Sequence, residues 1–250
     1  MPDEMLPWFP VLMFHRVTNE IVRGPSAELC VRVEKLQQII RSTQAEGFAF
    51  VTLAEVFDRI EAGQPVDRLA VLTFDDGFSD FYELGLPVLQ YLRVPATLFI
   101  VTDPLGGRNA WDLPRGLPQH PLMTRSQVRE LHQLGFEIGS HTASHPLLST
   151  LPLSECVEEL ARSRRELEGL LGAKPRGFCY PYHDQNPVVQ RAVAEVGYTY
   201  GAGGSQRAHT RFLLHRLDPP RFDPLSWKMY LRGWHLLPER AMAVARRQAA

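Results

Sequence analysis

The chain has 250 residues, enough for a large core and for one or two domains. Its 27 Lys and Arg residues nearly balance its 28 Asp and Glu residues, and the resulting net charge of −1 gives no indication of nucleic-acid or anionic-membrane binding. A hydrophobic content of 44% argues against a disordered chain, and three widely spaced cysteines argue against a disulfide framework.

Apolar runs alternate with amphipathic segments along most of the chain. The apolar runs predict strands at 11–14, 48–51, 69–74, 96–101, 136–139, 177–180, 198–200 and 213–217. The amphipathic segments predict helices at 28–45, 53–61, 81–92, 126–134, 153–171, 188–196 and 239–247. Residues 102–123 are rich in Gly and Pro and predict a long loop, of a length that is often functional. Repeated strand–helix units predict a parallel sheet, either a barrel or an open doubly wound sheet.

Polar residues follow four of the predicted strands at their carboxyl ends. In chain order they are His15, Asp75, Asp76, His141, His145 and the run Tyr180-Pro181-Tyr182-His183. Because the carboxyl ends of parallel strands meet on one face of the sheet, we expect these side chains to gather in one functional cavity.

The carboxylates and imidazoles of this set suit a metal site. Asp75 and Asp76 would repel each other in a confined cavity unless a cation or a proton lies between them. His141 and His145 are four residues apart, which places both rings on one side of a turn, and with one Asp they suit Zn²⁺, Co²⁺ or Ni²⁺. Such a ligand set leaves coordination positions open, as hydrolysis requires. The simpler explanations are a helix N-cap plus a solvated loop acid for the Asp pair and a structural role for the His pair.

Three motifs resemble those of the NodB-like polysaccharide deacetylases, carbohydrate esterase family 4. They are TFDDG at 73–77, HTASHP at 141–146 and the later RGFCYPYHD. In addition, LMFHRV at 12–17 resembles the start of a circularly permuted branch that includes the poly-N-acetylglucosamine deacetylases. The resemblance covers roughly residues 10–217 and implies a distorted parallel (β/α) barrel.

The resemblance also implies a role for each matching residue. Asp75 would be the catalytic base, while Asp76, His141 and His145 would bind one divalent ion, zinc being the first candidate. The backbone N–H of Tyr180 would stabilise the oxyanion. The implied reaction is removal of the N-acetyl group from a sugar polymer, an oligosaccharide or a lipid-linked precursor.

The general acid is the main departure from the family pattern. Members in the usual chain order carry it in a Leu-His-Asp motif near the C-terminus, whereas here His215 is followed by Arg216. In the permuted branch the N-terminal histidine takes this role, so we predict His15 as the acid, with His215 as the alternative. Arg216 would then resemble the arginine that steadies the catalytic base in the family. Arg176 is the alternative candidate for this role.

The remaining candidates concern substrate and packing. The predicted substrate-binding residues are Tyr180, Pro181, Tyr182, Arg216 and Trp111. His183 stands where many relatives have Gly, and we expect it to be a solvated loop residue. Cys179, Trp227 and Trp234 are expected to pack in the interior.

Two other functions remain open at this point. One is hydrolysis of C–N bonds in non-sugar amides or cyclic ureides, against which the intact His-x-x-x-His spacing argues. The other is a catalytically inactive carbohydrate-binding domain, against which the complete Asp-Asp-His-His set argues.

The expected partner is an N-acetylated glycan, with no nucleic acid and no transmembrane segment. The N-terminus lacks a basic region ahead of an apolar stretch, so we expect a cytoplasmic protein. We expect residues 1–250 to form a single domain, with 218–250 as a C-terminal extension packed on it.

Overall fold

A computed structural model describes residues 5–204, 209–219 and 224–233. The strands are β1 (Val11–Phe14), β2 (Arg16–Thr18), β3 (Cys30–Arg32), β4 (Ala49–Phe50), β5 (Leu69–Phe74), β6 (Thr97–Ile100), β7 (Glu137–Ser140), β8 (Gly177–Cys179) and β9 (Tyr200–Ala202). The helices are α1 (Val33–Ala45), α2 (Leu53–Glu61), α3 (Leu86–Leu92), α4 (Arg125–Gln133), α5 (Leu153–Leu171), α6 (Pro187–Val196) and α7 (Pro224–Leu231). Trp234, which we expected to pack in the interior, and the helix predicted at 239–247 lie outside the described residues.

The main sheet is parallel and follows the order β1-β5-β6-β7-β8-β9, with β4 paired to the first half of β5. All six residues of β5 are buried, which explains its unbroken apolar sequence. β2 and β3 form a separate parallel pair.

Residues 213–217 lie between the two edges of this sheet. Leu214 bridges to Ala202 of β9, and Leu217 bridges to Leu12 of β1. The Met13 N–H also donates to the Leu217 carbonyl at 2.7 Å. The sheet is therefore curled into the distorted barrel that the resemblance implied, although the strand predicted at 213–217 forms only isolated bridges.

The helix ends follow local signals in the sequence. The Thr52 hydroxyl caps α2 by accepting from the Glu55 N–H, and Thr124 with Gln127 forms a capping box at the start of α4. Gly172 ends α5 in the left-handed conformation, at a φ of 69°.

Three further elements differ from the sequence-based expectation. The helix predicted at 28–45 begins only at Val33, because residues 30–32 instead pair with β2. The helix predicted at 81–92 opens with a π-helical turn, Phe81–Gly85. The predicted loop at 102–123 contains a 3-10 turn, Ala110–Arg115. The first difference arises from pairing between distant segments, which helical periodicity does not reveal.

Helix α2 covers the amino end of the barrel. The Leu53 N–H donates to Thr97 Oγ1, and the Ala54 N–H donates to Glu137 Oε2, at the first residues of β6 and β7. The Phe57 ring stacks on Tyr200 of β9, with ring centres 4.5 Å apart. The interior is packed at this end, so the carboxyl ends of the strands are left to form a site.

Trp227 of α7 packs into the main core, as expected. Among the described residues, no helix combines the length and hydropathy needed to cross a bilayer.

Candidate active site

An open pocket of about 260 Å³ lies at the carboxyl ends of the barrel strands. The predicted site residues that line it are His15, Asp75, Asp76, Trp111, His141, His145, Tyr180 and Tyr182. The pocket is also lined by His183 of the predicted run and by residues that the sequence analysis did not select: Met13, Glu28, Leu29, Asp112, Arg115 and Asp218. Most of these come from connecting segments, which carry no motif or periodic pattern.

Asp76, His141 and His145 form a compact triad of buried ligand atoms. Asp76 Oδ1 lies 3.3 Å from Nε2 of each histidine, and the two Nε2 atoms are 3.2 Å apart. Ligands about 2.0–2.1 Å from a tetrahedral zinc ion would be about 3.3 Å from one another. The donor types and their spacing therefore fit a divalent cation.

The surroundings of the two histidines direct Nε2 of each ring into the triad. His141 Nδ1 lies 2.8 Å from the Cys179 carbonyl oxygen, which only accepts, so Nδ1 carries a proton and Nε2 faces Asp76. Burial alone would lower the pKa of His141, but Cys179 and the Asp76 carboxylate outweigh it and raise the pKa, as expected for a ring held against an anion. Burial lowers the pKa of His145, which favours the unprotonated ligand form. The rings of Trp111 and Tyr182 pack on His145 at 4.7 and 4.5 Å.

The backbone at this site adopts unusual conformations. Asp76 and His145 have φ values of 71° and 67°, in the left-handed region that non-glycine residues rarely adopt. The turn after Asp76 uses Gly77 at φ 80°, where a Cβ atom would lie 3.1 Å from Ile100 Cδ1. This turn lets adjacent carboxylates at a strand end reach the same pocket.

Asp75 is paired with the fully buried Arg216. Nη1 and Nη2 of Arg216 donate to the two carboxylate oxygens at 2.7 and 2.8 Å. Arg216 also donates to the Gly203 carbonyl at 2.6 Å and to Thr73 Oγ1 at 3.2 Å. Burial alone would raise the pKa of Asp75, but the guanidinium outweighs it and the pKa is about 2.

This placement corrects one expectation about Arg216. Its side chain is 0% exposed and lies against Asp75, so the expected contact with substrate is wrong. Its position instead agrees with the other expectation, an arginine that steadies the base. Arg176 is elsewhere, in an ion pair with Asp58 at 2.7 Å.

The thiol of Cys179 packs against the Asp75–Arg216 pair. Its Sγ lies 3.6 Å from Asp75 Oδ2 and 3.1 Å from Arg216 Nη2. Burial raises the pKa of this thiol, which keeps it protonated at neutral pH.

The two candidate acids occupy different environments. His15 lines the pocket, and its Nε2 lies 3.9 Å from Asp75 Oδ2. His215 is buried, its ring lies 5.7 Å from the Trp8 ring, and its backbone N–H donates to His209 Nδ1. Only His15 of this pair lines the pocket described here.

Tyr180 lines the pocket and is anchored to the fold by two hydrogen bonds. Its hydroxyl donates to the Phe212 carbonyl at 2.7 Å, and its N–H donates to the Ala202 carbonyl at 3.2 Å. This N–H is paired with β9, and its expected role at an oxyanion stays a prediction. Pro181 is buried and opens the short turn that places Tyr182 against His145.

His183 is not the solvated loop residue that we expected. It is only partly exposed and lines the pocket. A Cβ atom at Gly204 would lie 2.6 Å from its Cγ, so the ring occupies the space above that glycine. Burial lowers the pKa of His183 to about 4, which leaves the ring neutral near pH 7.

The fold and the position of the pocket define the general class. Parallel α/β barrels carry their chemistry at the carboxyl ends of the strands, and the present pocket lies there, which places this chain among the α/β-barrel enzymes. Comparison with known families narrows the class, because the Polysaccharide deacetylase family matches residues 62–201. The chain belongs to this family.

Individual relatives agree with this assignment. YxkH of Bacillus subtilis is 25% identical over 213 residues, which cover 83% of this chain and 70% of YxkH. The poly-beta-1,6-N-acetyl-D-glucosamine N-deacetylase of Staphylococcus epidermidis is 26% identical over 186 residues, or 71% of this chain and 62% of that protein. This chain thus matches less than two thirds of the staphylococcal enzyme.

Solved structures share the fold. The deacetylase PplD of Streptococcus pyogenes superposes with a TM-score of 0.71 at 23% identity, covering 86% of this chain and 94% of PplD. IcaB of Ammonifex degensii superposes with a TM-score of 0.72 at 22% identity, covering 90% of this chain and 97% of IcaB.

Proposed function

We propose that this protein is a metal-dependent deacetylase that hydrolyses the N-acetyl group of an N-acetylated sugar. The main support is the triad of Asp76, His141 and His145, whose ligand atoms lie 3.2–3.3 Å apart beside the carboxylate of Asp75. Family membership and the similarity to a poly-N-acetylglucosamine N-deacetylase favour a sugar amide as substrate.

The triad would hold one divalent cation, with Zn²⁺ as the first candidate and Co²⁺ or Ni²⁺ as alternatives. When bound, such a cation polarises a carbonyl and makes water a better nucleophile near neutral pH. Asp76 supports cation binding because its buried carboxylate has Nε2 of two imidazoles 3.3 Å from the same oxygen, an arrangement in which a cation would neutralise the carboxylate and use both nitrogen lone pairs.

Asp75 is suited to act as the general base. The two hydrogen bonds from Arg216 fix the plane of its carboxylate, and each oxygen retains a further lone pair for a proton. Its pKa of about 2 keeps the group ionised throughout the neutral range. The proton that Asp75 accepts comes from the water that attacks the amide carbonyl.

His15 is suited to act as the general acid. Breaking the C–N bond releases acetate and an amine, and the nitrogen must take up a proton as it leaves. His15 lines the same pocket, 3.9 Å from Asp75, so acid and base lie side by side at the reacting group.

The walls of the pocket support a glycan substrate. Trp111 and Tyr182 supply aromatic surface, and the neutral ring of His183 can hydrogen-bond to a hydroxyl group. Arg115 lies over the Tyr182 ring at 5.0 Å and lines the pocket as well.

The first experiment measures metal content and acetate release together. We expect about one divalent ion per chain and release of acetate from N-acetylglucosamine oligosaccharides. Asp76→Ala should lose both, whereas Asp75→Asn should keep the ion and lose about 10²- to 10⁴-fold in kcat. Retention of the ion by Asp76→Ala, or turnover of a cyclic ureide in place of the sugars, would overturn the proposal.

The second experiment compares the two candidate acids. His15→Ala should reduce acetate release strongly, while His215→Ala should reduce it only in proportion to any loss of folded protein. Circular dichroism provides that correction. A loss confined to His215→Ala would contradict the assignment of His15.

A further inference from the structure

An ion pair joins the segment after His15 to the segment after Asp76. Asp80 Oδ2 accepts from Arg16 Nε at 2.8 Å, and Asp80 Oδ1 accepts from the Val17 N–H at 3.1 Å. The side chains of Arg16 and Asp80 are 14% and 16% exposed, so water competes only weakly for these bonds.

The same two segments are joined on the other side of His15. The Asp75 N–H donates to the Phe14 carbonyl at 2.9 Å, immediately before His15. The backbone of His15 is therefore fixed between two attachments, one at Asp75 and one at Asp80. Both lie in the segment 75–80 that begins with the base, so His15 and Asp75 are held to the same segment.

The loop at 102–123 completes the arrangement through His120. His120 Nε2 lies 2.7 Å from Arg16 Nη1, and the Arg16 guanidinium lies over the Phe78 ring at 5.7 Å. Arg16, Asp80 and His120, which we call the clamp, thus connect three segments around the pocket. None of the three lines the pocket itself.

We propose that the clamp is a positioning device that holds the His15 ring where it can protonate the leaving amine. This inference rests on the proposed deacetylase function. Arg16 and Asp80 act only through His15, so their loss should impair the proton-donating step and leave cation binding and the base intact. The parallel pairing of β2 with β3 does not include Asp80, so we expect variants of Asp80 to keep it and to fold.

The test uses the dependence of the reaction on its leaving group. An amine must be protonated to leave, whereas 4-nitrophenolate leaves without a proton, so hydrolysis of 4-nitrophenyl acetate does not require His15. In the metal-loaded protein, Asp80→Ala should lower kcat on an N-acetylglucosamine oligosaccharide about tenfold or more and change ester hydrolysis less than about twofold. Asp80→Asn keeps an acceptor and should fall in between.

Two controls make the result specific. Asp58→Ala removes a different aspartate–arginine pair, the one with Arg176. It should change neither kcat on the oligosaccharide nor the rate of ester hydrolysis. The double variant His15→Ala/Asp80→Ala should be no slower on the sugar than His15→Ala alone, because the clamp acts through His15. Metal analysis should find the same ion content in every variant.

The opposing outcomes are distinct. Equal losses on sugar and ester would show that Asp80 has only a general structural role, and additive losses in the double variant would show that it acts independently of His15. Either result overturns the inference while leaving the deacetylase proposal intact. Failure of the unaltered protein to release acetate from any N-acetylated sugar would instead overturn the proposed function.

Discussion

At the scale of single residues, the carboxylate of Asp75 and the guanidinium of Arg216 depend on each other. Both are almost completely buried, and two hydrogen bonds of 2.7 and 2.8 Å join them. Removing two charges from water is costly, and their attraction compensates for that cost only while both are present. The pair therefore supplies the ordered base that the proposed reaction needs.

This mutual dependence predicts a specific pattern of stability. Arg216→Met leaves a buried carboxylate without its partner and should lower the free energy of unfolding by about 3–5 kcal/mol. The double variant Asp75→Asn/Arg216→Met removes the unpaired charge and should recover part of the loss. Urea denaturation of the metal-free proteins measures both values, and an equal or larger loss in the double variant would contradict this account.

At the scale of secondary-structure elements, Glu137 connects four parts of the barrel at its amino end. It is the first residue of β7, and its Oε2 accepts from the Ala54 N–H of α2 and from Thr97 Oγ1 of β6, both at 2.8 Å. Its Oε1 accepts from the Tyr200 hydroxyl of β9. Burial raises the pKa of Glu137 to about 7 despite these donors.

The raised pKa of Glu137 predicts how stability depends on pH. Its ordinary pKa is 4.5, so between pH 4.5 and about 7 the folded state holds a proton that the unfolded state releases. Stability should therefore fall as pH rises through this interval, by about 3 kcal/mol from this group. Glu137→Gln should remove this contribution to the pH-dependent loss of stability. The same substitution at the exposed Glu130 should not remove it.

The difference between variant and unaltered protein at each pH isolates Glu137, because contributions from other groups cancel. Denaturation at pH 4.5, 6 and 7.5 is sufficient. A constant difference across these values would show that the ionisation of Glu137 is not linked to folding.

At the scale of the whole molecule, local sequence patterns determined some elements but not how the barrel closes. The strand Leu69–Phe74 has the predicted bounds because an unbroken apolar run is a local feature. The helix Leu153–Leu171 has them because its amphipathic period and its glycine stop are local as well. Closure by 213–217 depends on contacts with both sheet edges, so no pattern within those five residues reveals it. The same reasoning explains why Val33, rather than residue 28, begins α1.

The site was predictable to the extent that its residues form motifs at strand ends. Asp76, His141 and His145 were found in this way, because strand order brings them to one face of the sheet. Arg115 and Leu29 were not found, because each comes from a connecting segment whose approach to the pocket is set by tertiary packing. Asp76 is distant in sequence from His141 and His145, so the proposed ligand set is complete only in the folded chain.

This dependence on folding leads to a final prediction about the whole molecule. A cation that binds the folded chain but not the unfolded one stabilises the fold by about 2.7 kcal/mol at a hundredfold excess over Kd. For a domain of this size, Zn²⁺ should then raise the melting temperature of the metal-free protein by about 5 °C or more. Asp75→Asn should show the same rise, because it keeps all three ligands. Asp76→Ala should show little or none, and an undiminished rise in that variant would place the cation elsewhere on the protein.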